Sequence, residues 1–162
     1  MAAYLKYKAI PKGESLAEGH KGTDGWIEVG GVKLGAGRSI STPVGTSSKR
    51  EASAPSISEI SVTKLMDSTS PLIFQELLIG KASNATIELT ETGEDKLETF
   101  LTLTLENCLI SDYHVSSGGG RPSETFSLNF TKIEYKYTPY DDRHKPGPSV
   151  QVRYDLATAS GK

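Results

Sequence analysis

The stretch Leu97-Glu-Thr-Phe-Leu-Thr-Leu-Thr-Leu-Glu106 places leucine at 97, 101, 103 and 105 and glutamate or threonine at 98, 102, 104 and 106. A spacing of two puts alternate side chains on opposite faces of a β-strand, so this segment predicts a strand with one apolar and one polar face. The alternation continues through Leu109, Tyr113 and Val115. Upstream, across the turn signal Thr92-Gly-Glu-Asp95, Ala85, Ile87 and Leu89 alternate with Thr86, Glu88 and Thr90. The same period recurs in Leu5, Tyr7 and Ala9 against Lys6 and Lys8, and in further strand candidates at 26–29, 32–40 and 57–62. The last two runs are 124–138 and 150–156, the latter with Val150, Val152, Tyr154 and Leu156 in phase. Many strands with short polar connections predict a mainly β protein, a small β-barrel or two-sheet sandwich.

Three segments depart from this pattern. Ser70-Pro-Leu-Ile-Phe-Gln-Glu-Leu-Leu-Ile-Gly80 reads as one flanking α-helix. Ser70 suits its N-cap, Pro71 its first position and Gly80 a left-handed C-terminal residue, and Ile73, Phe74, Leu77 and Leu78 form an apolar stripe. Residues 41–56 are polar and read as a structureless, protruding loop, long enough to need a reason. Within 124–138, Phe126, Leu128 and Phe130 share one parity and Ile133, Tyr135 and Tyr137 the other. A bulge near Thr131 or Lys132 would restore one buried face; otherwise a second molecule covers the strand.

The length of 162 residues is expected to make a single domain spanning 1–162. Lysine plus arginine total 18 against 20 acidic residues, a balance that gives no reason to expect nucleic acid as a partner. No run approaches the roughly 20 apolar residues of a membrane span, so membrane insertion is not expected, and the alternating start reads as a strand and not as a signal peptide. Apolar residues are only 36% of the chain, low for a compact domain, so the chain either has a small core or completes itself against neighbours.

Cys108, Asp112 and His114 share parity, but Cys108 and His114 would lie roughly 20 Å apart along a strand, beyond nucleophile–base reach. Cys108 is expected to be a small semi-buried apolar residue and Asp112 with His114 a surface pair. His20 and His144 read as solvated loop residues, with no metal-ligand spacing around them. The run Gly35-Ala-Gly37-Arg-Ser-Ile40 lacks the third glycine and the helix of a dinucleotide fingerprint and reads as a glycine-punctuated strand. No catalytic, cofactor-binding or metal site is expected, and the chain is not expected to be an enzyme.

Several short motifs in order resemble the haemolysin-coregulated protein (Hcp) family, the tube proteins of bacterial type VI secretion systems. They are Gly13-Glu-Ser15, His20-Lys21, Trp26-Ile-Glu-Val29, Val62-Thr-Lys64, Asp67, Ser70-Pro71, Ser116-Ser-Gly-Gly-Gly-Arg-Pro-Ser-Glu124, Leu128-Asn-Phe-Thr-Lys-Ile-Glu134 and Tyr137-Thr-Pro139. The segment 30–35 lacks the aromatic residues many relatives carry there, and 141–148 falls in a variable loop. The resemblance implies a phage-tail-tube-like barrel with a flanking helix that forms homohexameric rings. Those rings would stack into a hollow tube, contact sheath and spike components, and carry small effectors. The protein would assemble in the bacterial cytoplasm and then be secreted through the system without a signal peptide. By the same resemblance the loop at 41–56 would reach the adjacent ring, with Lys49, Arg50 and Glu51 as ring-stacking candidates. If Val32 and Leu34 face the core, Lys33 would point into the lumen. The alternative reading is a stand-alone β-barrel binding module for a carbohydrate or lipid, which would need a concave pocket with convergent polar and aromatic groups inside one subunit.

Overall fold

The leucines of 97–105 belong to a strand twenty residues long. A computed structural model describes residues 1–45 and 50–162. Its strands are β1 (Ala2–Tyr7), β2 (Trp26–Val29), β3 (Gly31–Lys33), β4 (Ala36–Gly37), β5 (Ile40–Ser41), β6 (Glu51–Ala52), β7 (Ser56–Ile57) and β8 (Ile60–Leu65). The helix α1 (Ser70–Ile79) precedes β9 (Ser83–Thr92), β10 (Leu97–Ser116), β11 (Ser123–Asn129), β12 (Lys132–Tyr137), β13 (Val150–Asp155) and β14 (Ser160–Gly161).

The two halves of β10 serve different sheets. In the first half Leu103 stands opposite Ile87 of β9 on one side and Tyr135 of β12 on the other. In the second half Ile110 stands opposite Leu128 of β11. The changeover is at Asn107, whose φ of 54° is left-handed and whose pairing register with β9 shifts between Leu105 and Cys108. Inserting a residue into a strand bends it and moves every following side chain to the other face. Leu103 and Leu105 are therefore buried before the bend, and Cys108 and Ile110 after it. The expected unbroken phase through Leu109 is corrected: Leu109 is exposed. A second irregularity between Ile110 and Asp112 reverses the phase again and sets Tyr113 opposite inward-facing Phe126.

A second corner lies at Gly30. β2 pairs with β1, β3 pairs with β8, and the Gly30 N–H donates to the Thr63 carbonyl at 2.7 Å. The pairings therefore run β10–β9–β1–β2, turn at Gly30, and return through β3–β8–β11 to β10. This is the small barrel or two-sheet sandwich expected from the period of two. Its interior is filled by Leu5, Tyr7, Ile27, Ile60, Ile87, Leu105, Phe126 and Leu128 among others. The buried Tyr7 hydroxyl is satisfied by donating to the Cys108 carbonyl at 3.0 Å.

The phase change near Thr131 is neither a bulge nor a single strand with two buried faces. The run 124–138 is two strands: β11 pairs with the second half of β10 and β12 with the first. The chain crosses between sheets at Thr131, whose N–H donates to the Glu106 carbonyl at 3.2 Å. From β12 the sheet continues outward through β13 and β14, past the closed ring of strands.

The helix forms where the sequence places it, but two of its details differ. Thr69 holds the N-cap position, and Gly80 is extended (φ −66°, ψ 157°) rather than left-handed. A Cβ at Gly80 would run into the carbonyl of Glu76, which explains the glycine sterically. Of the expected stripe only Ile73 is buried and Leu77 packs on the core, while Phe74 and Leu78 are 46% and 63% exposed.

Candidate functional site

The polar residues of the motifs flanking the helix converge on one buried cluster. β8 presents Lys64 and β11 presents Glu124, directly opposite in register, both buried beside the first residue of α1. Lys64 Nζ lies 2.7 Å from Glu124 Oε1 and 2.8 Å from Asp67 Oδ1, and donates to the Leu65 carbonyl at 2.9 Å. Ser70 donates to Glu124 Oε1 at 2.8 Å and the Tyr113 hydroxyl to Glu124 Oε2 at 2.6 Å. Burial raises the Asp67 pKa, but the hydrogen bonds from Lys64 and Thr69 outweigh it and hold the carboxyl below its ordinary range. Burial, together with the Glu124 carboxylate, pushes the Tyr113 phenol up. One ammonium meets two carboxylates, so the cluster ties α1 to two strands and carries excess negative charge.

The histidines are corrected. His20 is buried, stacked on Tyr4 at 4.4 Å and edge-on to Trp26 at 4.7 Å, with Nε2 2.6 Å from Glu88 Oε2. His144 Nδ1 lies 3.1 Å from Glu98 Oε2, and Glu98, expected on the polar face of its strand, is itself buried. Both imidazoles pin loops to the sheet. Asp112 and His114 form the surface pair the sequence suggested, at 2.9 Å. Cys108 is fully buried rather than semi-buried, and burial pushes its thiol up to about 12, the opposite of an activated nucleophile. Among the described residues no three His, Cys, Asp or Glu side chains gather as a metal site, and no helix is long and apolar enough to cross a membrane.

What the surface does carry is uncovered apolar area. On β12 and β13, Tyr135 stands opposite Val152 and Tyr137 opposite Val150, on the face that continues from the core leucines of β10. These four are 44%, 58%, 47% and 67% exposed because the strands outrun the barrel that covers their neighbours. A second apolar face lies on α1, where Leu72, Phe74, Leu78 and Ile79 are exposed. The parity of 133–137 and 150–156 was the sequence signal for the first patch. The buried charges of the Lys64 cluster had no such signal, since lysine and glutamate ordinarily mark a solvated face.

The segment between β3 and β8 is an arm. Ala36–Gly37 pairs with Ser56–Ile57, and Ile40–Ser41 with Glu51–Ala52, so the loop expected to be structureless begins as a two-stranded ribbon. Arg50 and Glu51 sit on its exposed outer part, where Arg50 Nε donates to Thr42 Oγ1 at 3.4 Å. Lys49, the third stacking candidate, lies outside the described residues. Lys33 is exposed at the base of the arm, while Val32 and Leu34 pack against the core.

The fold and its surfaces define a mainly β protein with a filled interior, one flanking helix and exposed apolar strips. The family model described as "Type VI secretion system effector, Hcp" matches residues 4–137, and the chain belongs to that family, the Hcp proteins of type VI secretion systems. A solved structure described as a type six secretion system protein is 28% identical and superposes with a TM-score of 0.89, covering 99% of both chains. Hcp1 from Salmonella typhimurium shares the fold at 19% identity and a TM-score of 0.77, over 99% of this chain and 98% of its own. A type VI secretion system effector from Yersinia pestis does so at 22% identity and a TM-score of 0.66, over 94% and 98%. No curated protein matches the chain at a significant level.

Proposed function

We propose that this protein is a structural subunit of the type VI secretion tube: a single domain that closes into homohexameric rings, which stack into a hollow tube carrying small effectors. The observation that carries the reading is the strip Tyr135, Tyr137, Val150 and Val152, an extension of the core face left uncovered. Exposing contiguous apolar area is unfavourable by about 25 cal/mol per Å², and a neighbouring copy would remove it from water. A cyclic ring joins two different surfaces of one chain, and the helix face with Phe74 and Leu78 is a second surface of the same character. The filled barrel supports a hole formed between subunits rather than a ligand cavity within one.

In this reading the arm spans the step to the next ring and Lys49, Arg50 and Glu51 contribute to stacking, while Lys33 faces the channel. The tube would touch sheath and spike components, assemble in the bacterial cytoplasm and leave through the system itself. The chain would act by assembly and not by catalysis. Electron microscopy and light scattering of the purified chain test this. Six-subunit rings and a mass near six times 17.4 kDa are expected, and a monomer at all concentrations overturns the reading.

A further inference from the structure

The loop of residues 138–149 joins β12 to β13, the two strands that carry the uncovered strip. It folds back on the start of β10 and is fastened there at three points. The Thr138 N–H donates to the Phe100 carbonyl at 2.8 Å, the Tyr140 hydroxyl donates to the Thr99 carbonyl at 3.2 Å, and His144 Nδ1 lies 3.1 Å from Glu98 Oε2. The third contact needs two unusual placements. The register of β9 and β10 shifts between Thr99 and Leu101, which turns Glu98 off the polar face and leaves its side chain only 4% exposed. His144 holds a left-handed φ of 55°, with its N–H donating to the Asp141 carbonyl at 2.9 Å.

A buried carboxylate is costly unless it is paired. Among the described residues His144 is the side chain that meets Glu98. Its imidazole is 36% exposed and its Nε2 is not shut in, so a proton entering there turns the hydrogen bond into an ion pair. His20 differs, because its Nδ1 is buried without a partner and a proton added there would have no acceptor.

Other charged groups surround the pair on every side. Glu91 stands opposite Glu98 on β9, and Glu94, Asp95 and Lys96 lie in the turn before β10. Glu88, the partner of His20, is reached through Thr99, whose hydroxyl donates to it at 3.2 Å. The loop adds Tyr140, Asp141, Asp142, Arg143 and Lys145. Among the described residues neither Lys96, Arg143 nor Lys145 reaches salt-bridge distance of Glu98, so the imidazole alone supplies its counter-charge. The fastening also touches the strip: the Phe100 ring lies edge-on to Tyr137 at 6.4 Å, and Tyr137 and Val150 bound the loop.

We infer that His144 and Glu98 form a proton-operated clasp that holds the 138–149 loop against β10 and thereby sets the form of the strip at Tyr137 and Val150. An imidazole in a model peptide changes charge at about pH 6.5, so the clasp works within about pH 5 to 8. It is tight on the acid side, where the pair is ionic, and loosens as pH rises and only a neutral hydrogen bond remains. The clasp itself is independent of the tube reading; its effect on assembly rests on that reading.

Amide hydrogen exchange of the full-length chain at about pH 5.5 and about pH 8, corrected for the intrinsic pH dependence of exchange, tests the clasp. Amides of residues 140–147 are expected to be several-fold better protected at the lower pH. His144→Gln, which keeps a donor but takes up no proton, should remove the difference. Equal protection of the native loop at both values, or a difference that survives His144→Gln, overturns the clasp. Light scattering at the same two values reads assembly. The concentration needed for rings should be several-fold lower on the acid side for the native chain and indifferent to pH in His144→Gln. Loop protection that follows pH while assembly does not overturns the link to the strip. A chain monomeric at both values overturns that link and the tube reading together, while exchange still decides the clasp.

Discussion

Lys64 and Glu124 form an ion pair at 2.7 Å with their side chains 1% and 0% exposed, at the point where two strands and the helix meet. The lysine also holds Asp67, and the glutamate also accepts from Ser70 and Tyr113, so side chains from three strands, the helix and the turn before it depend on one contact. Removing one partner of a buried pair leaves an uncompensated charge.

Lys64→Met is therefore expected to lower folding stability by about 3–5 kcal/mol, and Glu124→Leu by a comparable amount. The double variant should lose less than the sum of the singles, because neither charge is then stranded. Denaturant titrations at one fixed protein concentration measure this, since assembly adds to apparent stability. Additive losses would mean the pair is not coupled.

Asp67 contributes a pH dependence of definite sign. Its folded-state pKa lies below the unfolded value of about 3.9, so its stabilisation is present above that pH and disappears as pH falls through the folded value. Asp67→Asn should destabilise the protein at neutral pH and flatten the acid limb of a plot of Tm against pH.

The loop of residues 11–25 is closed by backbone contact between two glycines. The Gly13 N–H donates to the Gly22 carbonyl at 2.8 Å, and a Cβ on Gly22 would land on the Gly13 carbonyl oxygen. Gly22→Ala is expected to cost about 1–3 kcal/mol and to loosen the seat of His20, read as a change in Trp26 fluorescence.

Tyr135 and Val152, opposite each other on the uncovered strip, should govern assembly and not folding. Tyr135→Asp with Val152→Asp is expected to shift size-exclusion elution to the monomer position with the far-ultraviolet circular dichroism unchanged. Persistent rings would place the ring contact elsewhere.

Cys108, with its thiol pushed up to about 12 by burial, should be inert to a disulfide reagent at pH 8 in the native protein and react with one equivalent after denaturation. Reaction at native rates typical of free thiol would show that the barrel opens there.

The strands were legible because a two-residue period needs only local composition, and the helix because Pro71 and a four-residue apolar spacing bound it. The sites of change between sheets were not. At Asn107 the left-handed φ and the register shift that mark the corner are tertiary features, and at Thr131 the parity change in the sequence marked a break whose cause, a crossing between sheets, only the pairing shows. His20 read as solvated because its partners Tyr4 and Glu88 are distant in the chain, and the fate of 41–56 depended on pairings between residues as far apart as Ala36 and Ile57.

By itself the sequence determined the class of fold, the family and the apolar deficit, since these follow from periodicity, ordered short motifs and counts. Only the tertiary structure decided where that deficit falls. Pairing β12 and β13 beyond the closed ring of strands leaves Tyr135, Tyr137, Val150 and Val152 outside the core, and seating the start of α1 beside Lys64 and Glu124 draws them in. Both outcomes are set by which strands lie side by side, a long-range choice that alternation along one strand does not encode.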